Sequence, residues 1–560
     1  MTALRRLLVG LAFALPLLFL ALFFFYPLAE IFRVSFLPEG RLDLSGFAAL
    51  WQRPYLRNTL LFTAGQALLS TVLTLIAALP ATYFFARYDF RGKTLLRALL
   101  TVPFVMPTVV VATAFLALLG PRGLLNEALM ALFRLDAPPI AWQQSLLMIL
   151  LAHIFYNLAV VIRVVGGFWA NLDPTLEEAA AMLGASPWQR FRRVTLPLLM
   201  PSLGAAALLI FLFTFSSFGV VLILGGLAYA TLEVEIYRQA LTFFNLPLAA
   251  TLSLVQMVAT FLMMSLYTAL QNRTTVPLQL RGQESALRPL TGRLRLLWLL
   301  AVGTPTLFVA APLLALVIRS LQVRGEWSLR FYRALGETGG RSILDVAPEL
   351  AIRNSLLFAL ATLLLSLLIG TLSAYLLAPP QSGQRARWRS LLDPIFLLPL
   401  GTSAVTLGFG YIIALDEPPL NLRTSALLVP LAHTLIAFPF VVRSLLPVLR
   451  SISPSLREAA AMLGAAPWQV WRQVDLPIVA RGLLVGATFA FAVSIGEFGA
   501  TSLVQRPEWP TMTVVIFRFL GQPGIENYGK AVAMSVIIMS ITIIGFLLIE
   551  RFRIDDIGEF

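Results

Sequence analysis

The stretch Glu177–Pro197 reads EEAAAMLGASPWQRFRRVTLP, and Arg457–Pro477 reads REAAAMLGAAPWQVWRQVDLP. Extended back to their prolines, 174–197 and 454–477 agree at 17 of 24 positions, at a constant offset of 280 residues. The same offset relates Leu151–His153 to Leu431–His433, Arg163 to Arg443, and Phe218-Gly219 to Phe498-Gly499. Earlier, RNTLLF at Arg57 returns as RNSLLF at Arg353, an offset of 296. A fixed period with a small drift marks an internal repeat with loop-length changes between its parts.

The surroundings of the two passages are strongly apolar. The chain of 560 residues is 58% hydrophobic and 12% charged, with a mean hydropathy of +0.84. A soluble domain carries about twice that share of charge. Apolar runs of about 20 residues are long enough to cross a ~30 Å hydrocarbon core as helices. Their continuity, without alternation, excludes barrel strands. Runs near 8–34, 58–86, 97–119, 144–168, 203–225 and 247–270 predict six spans. A second six fall near 297–319, 351–378, 391–415, 425–447, 482–505 and 529–550. The expected organisation is a first half over 1–272, a linker over 273–296 and a second half over 297–560. The fold class is an all-α polytopic membrane protein of two parallel six-helix repeats. Parallel follows from the even span count, because both halves then enter the membrane the same way.

Arg5, Arg6, the linker arginines and the basic loops ARYDFRGK and QSGQRARWRS fall on one side, which the positive-inside rule makes the cytoplasm. Both termini then lie inside, and the basic N-terminal run reads as an uncleaved first span. The net charge of +14 is accounted for by this topology, without nucleic acid. Cysteine is absent, which excludes disulfides, thiolate metal sites and a thiol nucleophile.

The repeated passage lies between the fourth and fifth spans of each half, on the cytoplasmic side. Asp173 or Ser453 can cap a helix, with Pro174 or Pro454 at its first turn. Glu177 and Glu178 favour the positive end of the helix dipole. Ala-Ala-Ala-Met-Leu propagates the helix, and Gly184 and Gly464 suit a left-handed stop. Pro187 and Pro467 open a second short helix, which Pro197 and Pro477 are expected to end. An amphipathic connector resting on headgroups would explain the polarity. It would not explain why Glu, Gly, Trp and Pro repeat while the spans drift. Two like surfaces docking on two like partners would.

The sequence E-A-A, three residues, Gly, nine residues and V-x-L-P resembles the EAA loop of permease subunits of binding-protein-dependent ABC importers. Two copies in one chain resemble the fused permeases of that family. The resemblance implies the type I ABC importer transmembrane fold in the bacterial or archaeal cytoplasmic membrane. It implies alternating access driven by two copies of a cytoplasmic ABC ATPase, with an external substrate-binding protein delivering the solute. Glu178, Ala179, Ala180 and Gly184 would dock one ATPase, and Glu458, Ala459, Ala460 and Gly464 the other. Arg457 replaces Glu177, so the two contacts need not be equal. ATP and Mg would sit on the partner, because RGKT at Arg91–Thr94 has only the tail of a phosphate-binding loop, with Arg at position 87.

Ionisable groups within spans are costly and are candidates for the pathway. His153 and His433 are the only histidines, at equivalent positions. They read as packed residues hydrogen-bonded to neighbours, or as part of a metal site that would need further ligands the sequence does not place; no metal site is assigned. Glu497 has Ser217 as its counterpart in the first half and is expected to line the pathway or to pair with a cation such as Arg443. Asn157 is a further candidate. Pro103, Pro107 and Pro399 are expected to kink the third and ninth spans. The segments from Gly225 and from Pro507 read as outside loops. Among fused permeases, those for thiamine and for ferric iron look most similar, with phosphonates, sulfate or polyamines left open. A secondary transporter of two six-helix halves would not need the repeated elbow, and an intramembrane enzyme would need a nucleophile or metal set that is missing.

Overall fold

The computed structural model describes residues 3–552 apart from 39, 227, 275–286, 293, 324, 338–346, 379–391, 417 and 419. Most of the linker and the loop QSGQRARWRS lie outside the described residues. Among those described, eleven helices are long and apolar enough to cross a membrane. A twelfth span is a bent pair, Leu392–Gly401 and Ala404–Ala414, meeting at 97°.

In the first half, helix Pro54–Arg87 packs against Leu146–Ala170 and Leu196–Phe215. Their repeat partners Pro348–Leu377, Leu428–Ser451 and Leu476–Gly496 pack the same way. The buried faces of Pro54–Arg87 and Pro348–Leu377 are rich in Ser, Thr, Ala and Gly, which let helices approach closely where lipid gives no hydrophobic drive. The first spans cross between halves. Tyr26–Phe36 lies on Ala404–Ala414 of the second half, and Thr304–Ser320 lies on Thr108–Leu119 of the first.

Four spans are interrupted. Lys93–Val105 stops at Met106, which is held extended (ψ 140°) by the proline that follows, and the chain resumes as Thr108–Leu119. The ninth span breaks at Thr402, and Ser403 Oγ then caps the next helix by accepting the Val405 and Thr406 amides. The fifth and eleventh spans do not run on to 225 and 505 as the hydropathy suggests. Leu196–Phe215 ends before Ser216, and Leu476–Gly496 ends before Glu497. Short helices Gly219–Leu224 and Gly499–Val504 follow. Such breaks are tolerated at membrane depth only where protein or a cavity satisfies the freed backbone.

The segments expected as outside loops are buried helices, Leu232–Leu241 and Met512–Leu520. A hydroxyl from a neighbouring span pins the start of each. Thr63 Oγ1 accepts the Leu232 amide at 3.0 Å, and Ser355 Oγ accepts the Met512 amide at 2.9 Å.

The second half packs tightly on itself where Ala404–Ala414 meets Gly499–Val504. A Cβ added at Gly408 would stand 2.9 Å from Ala500 Cα and 3.0 Å from its carbonyl oxygen, so backbone would have to move. Gly408→Ala is expected to destabilise the chain by about 1–3 kcal/mol. A lowered unfolding midpoint in detergent is the check, and an unchanged midpoint would contradict the packing described here.

Candidate functional site: a cavity between broken helices and two exposed elbows

The four breaks converge. A cavity of about 460 Å³ is lined by residues of all of them, including Met106, Pro107, Ser217, Ser403 and Glu497. Of the candidates read from the sequence, Glu497, Ser217, Asn157 and His153 border it; His433 stands directly behind Glu497. Its walls are mainly apolar, and aromatic rings stand on several sides of it. Phe218 and Phe498, equivalent in the repeat, stack on one another at 5.4 Å across the two halves. Tyr237 and its repeat mate Phe517 back them at 5.3 and 5.4 Å. The result is a four-ring ladder about the axis of the repeat.

Both imidazoles are fully engaged. His153 meets Ser70 Oγ through Nδ1 and Ser217 Oγ through Nε2, each at 2.9 Å. His433 meets Ser494 Oγ through Nδ1 at 2.8 Å and Thr501 Oγ1 through Nε2 at 2.7 Å. Binding a metal would break one of these bonds in each case. Glu497 does not pair with Arg443, whose side chain is exposed. Its carboxylate accepts the Ala500 and Thr501 amides at 2.8 Å each and the Thr501 hydroxyl, and lies 3.4 Å from His433 Nε2. It therefore caps the short helix Gly499–Val504, whose first amides would otherwise be unpaired inside the membrane. Asn157 donates its amide to the His153 carbonyl at 2.9 Å.

One cavity residue was not read as a candidate. Glu233 accepts from Gln256 Nε2 at 3.1 Å and from Ser403 Oγ, in the other half, at 2.6 Å. It is 1% exposed. LEVEIYRQ reads as part of an outside loop, and no local signal reveals partners up to 170 residues away.

The elbows take the expected local form. Asp173 Oδ1 accepts the Thr175 amide and Ser453 Oγ the Ser455 amide. Helices Thr175–Met182 and Pro454–Met462 follow. Gly184 and Gly464 sit at φ +82° and +83°, the left-handed stop. The Ala185 amide closes onto Ala180 O and the Ala465 amide onto Ala460 O. Pro197 and Pro477 do not end the unit. Each lies at the first turn of the following helix, which continues from the elbow through a π-turn. From Pro187 and Pro467 an unbroken helix thus runs to the break beside the cavity.

The tips are open. Met182 and Leu183 are 89% and 88% exposed, and Met462 and Leu463 are 89% each. Glu178, Ala179, Glu458 and Ala459 are exposed beside them, while Ala180 and Ala460 are half-buried. The apparent loss of Glu177 in the second copy is a charge exchange. Glu177 Oε1 holds Thr195 Oγ1 at 2.8 Å and the buried Arg87 at 3.0 Å. Arg457 Nε holds Asp475, the repeat mate of Thr195, at 2.8 Å. Arg288 in the linker stands 3.7 Å from Glu178, and its strand Arg288–Pro289 pairs with Tyr88–Asp89.

The profile of the family described as binding-protein-dependent transport system inner membrane component matches residues 70–276 and again 366–553. The chain is 27% identical to the thiamine transport system permease protein ThiP of Haemophilus influenzae, covering 97% of this chain and 96% of that one. It is 26% identical to ThiP of Escherichia coli over 90% of both. A putative 2-aminoethylphosphonate transport system permease protein, PhnU of Salmonella paratyphi A, is 30% identical over 47% of this chain and 91% of its own length. Two family matches separated by the observed repeat, on a fold of two like halves, mean that the chain belongs to the binding-protein-dependent transport system inner membrane component family and carries its domain twice.

Proposed function

We propose that this chain forms the thiamine pathway of an ATP-driven importer, in which two copies of a separate cytoplasmic ATPase grip the two elbows. The observation that supports the coupling is the pair of elbow tips. Each presents a Met-Leu step nearly bare to solvent, next to Glu178 or Glu458, at the end of a short helix that one tight turn joins to the helix running on to a wall of the cavity. Exposed apolar residues rimmed by polar ones mark protein-binding surfaces. ATP and Mg belong to the partner, and an external binding protein delivers the solute to the opposite face. Both termini lie on the elbow side.

Thiamine is favoured by the near full-length similarity to thiamine permeases. Ferric iron, which the sequence leaves open, lacks a comparable basis: among the described residues no three His, Asp or Glu side chains gather into a metal-holding group. The cycle proposed is the alternating access that the family resemblance implies. Closure of the ATPase pair draws the elbows together, the continuous helices tilt, and the halves part around the Phe218–Phe498 stack. The test is uptake of labelled thiamine by proteoliposomes holding the chain, its ATPase and its binding protein. ATP-dependent accumulation is expected. Equal uptake without ATP would favour a secondary transporter, and no thiamine uptake would remove the substrate assignment.

A further inference from the structure

The charge of the cavity wall is unbalanced. Two of its residues are the carboxylates Glu233 and Glu497, and among the described residues no Lys or Arg lines it, although the chain carries a net charge of +14. Buried carboxylates are normally paired or hydrogen-bonded, and an uncompensated negative site suits a positive occupant. The two differ in how far they are committed. Glu497 is saturated by two amides, a hydroxyl and an imidazole. Glu233 has two partners, Gln256 and Ser403, which leaves acceptor capacity on both oxygens.

A second observation is independent of the acids. Asn157 is 3% exposed and borders the cavity. Its amide nitrogen is spent on the His153 carbonyl, while Oδ1 has no hydrogen-bond partner among the described residues. An acceptor that faces the cavity is free to take a donor from an occupant. The wall also carries rings, with Phe440 and Phe489 stacked at 5.9 Å and Phe104 and Phe213 tilted at 5.9 Å, beside Phe218 and Phe498. Aromatic faces attract cations and stack on flat heterocycles.

We propose that this cavity is a binding subsite for a flat, positively charged heteroaromatic solute, with Glu233 as the charge-selecting residue, Glu497 as the second negative charge and Asn157 Oδ1 as an acceptor for a ring amine. The proposal deepens the thiamine reading, since thiamine is a thiazolium cation bearing an aminopyrimidine, and it rests on that reading for its natural occupant. It also excludes anionic cargo such as sulfate or a phosphonate from this site. Because Glu233 bonds Ser403 of the other half, a cation arriving there competes with a contact that joins the two halves.

The test is equilibrium binding to the whole permease–ATPase complex in nanodiscs, without binding protein. The probes are labelled thiamine, 1-methylnicotinamide as a generic flat cation and nicotinamide as its neutral counterpart. The wild-type complex is expected to bind thiamine and to prefer 1-methylnicotinamide to nicotinamide. Glu233→Gln is expected to weaken thiamine at least about tenfold and to erase the preference between the other two. Glu233→Asp, which keeps the charge, is expected to retain the preference, and gel filtration confirms assembly of each variant. A charge preference without thiamine binding would overturn the thiamine reading and leave the subsite standing. Thiamine uptake with Glu233→Gln binding all probes as wild type does would overturn the subsite and leave the thiamine reading standing.

Discussion

Changing Glu178 and Glu458 together to Ala is expected to reduce thiamine uptake to background, a fall of at least about 100-fold, without loss of folded permease. The separation of these two effects is what makes the variant informative. Both carboxylates are exposed at the elbow tips, and Glu178 stands 3.7 Å from Arg288 in a half-exposed pair. Ion pairs of that kind contribute about 0–1 kcal/mol, and surface truncations usually stay within about 0.5 kcal/mol. A docked partner would desolvate the same carboxylate, and removing one member of a buried charge pair costs about 2–5 kcal/mol at an interface. Two such losses dissociate or uncouple the ATPases while the membrane fold persists. The measurement is uptake beside the gel-filtration profile of the permease. Wild-type uptake in the double variant would remove the glutamates from coupling. Either single variant is expected to be milder, and not equally so, because the elbows are braced differently: by Glu177 with Arg87 in one, and by Arg457 with Asp475 in the other.

Glu497→Ala is expected to act on the fold itself, by about 3–5 kcal/mol. The truncation strands the Ala500 and Thr501 amides, the Thr501 hydroxyl and one face of His433 in a part of the protein without bulk water. Unmade hydrogen bonds there cost about 1–3 kcal/mol each for neutral groups. Ser217→Ala, at the equivalent place in the first half, removes one bond to His153 and is expected to cost about 1 kcal/mol. Thermal unfolding in detergent distinguishes the two. Equal midpoints for both variants would mean that Glu497 does not cap the Gly499–Val504 helix. Glu497→Gln keeps one acceptor oxygen and is expected to fall between them.

The contrast between those residues shows what the sequence could and could not carry. The elbows were legible in detail because their determinants are local. A capping side chain, an alanine run and a glycine at φ near +82° act within one short stretch, from Asp173 to Gly184. The twelve apolar runs were legible because each is long. The breaks at Ser216–Phe218 and around Glu497 were not, since both flanks are apolar and a hydropathy window averages across them. Pro107 did announce its interruption, through the restriction it places on Met106. Glu233 was missed because its segment reads as an outside loop, and its partners come from another span and from the other half. The exchange of Glu177 and Thr195 for Arg457 and Asp475 was visible within the opening passage. Comparing the copies pair by pair, rather than residue by residue, finds it.

The central claim is that the two elbows each hold one ATPase. The absence of native cysteine allows a clean test, because Leu183→Cys and Leu463→Cys introduce unique thiols at positions 88% and 89% exposed. Each is labelled with a photoreactive maleimide in the assembled complex and irradiated. One ATPase adduct is predicted from each single variant, and a product of one permease with two ATPases from the double variant. Irradiation that yields no ATPase adduct from either elbow, or from only one of them, would contradict the account.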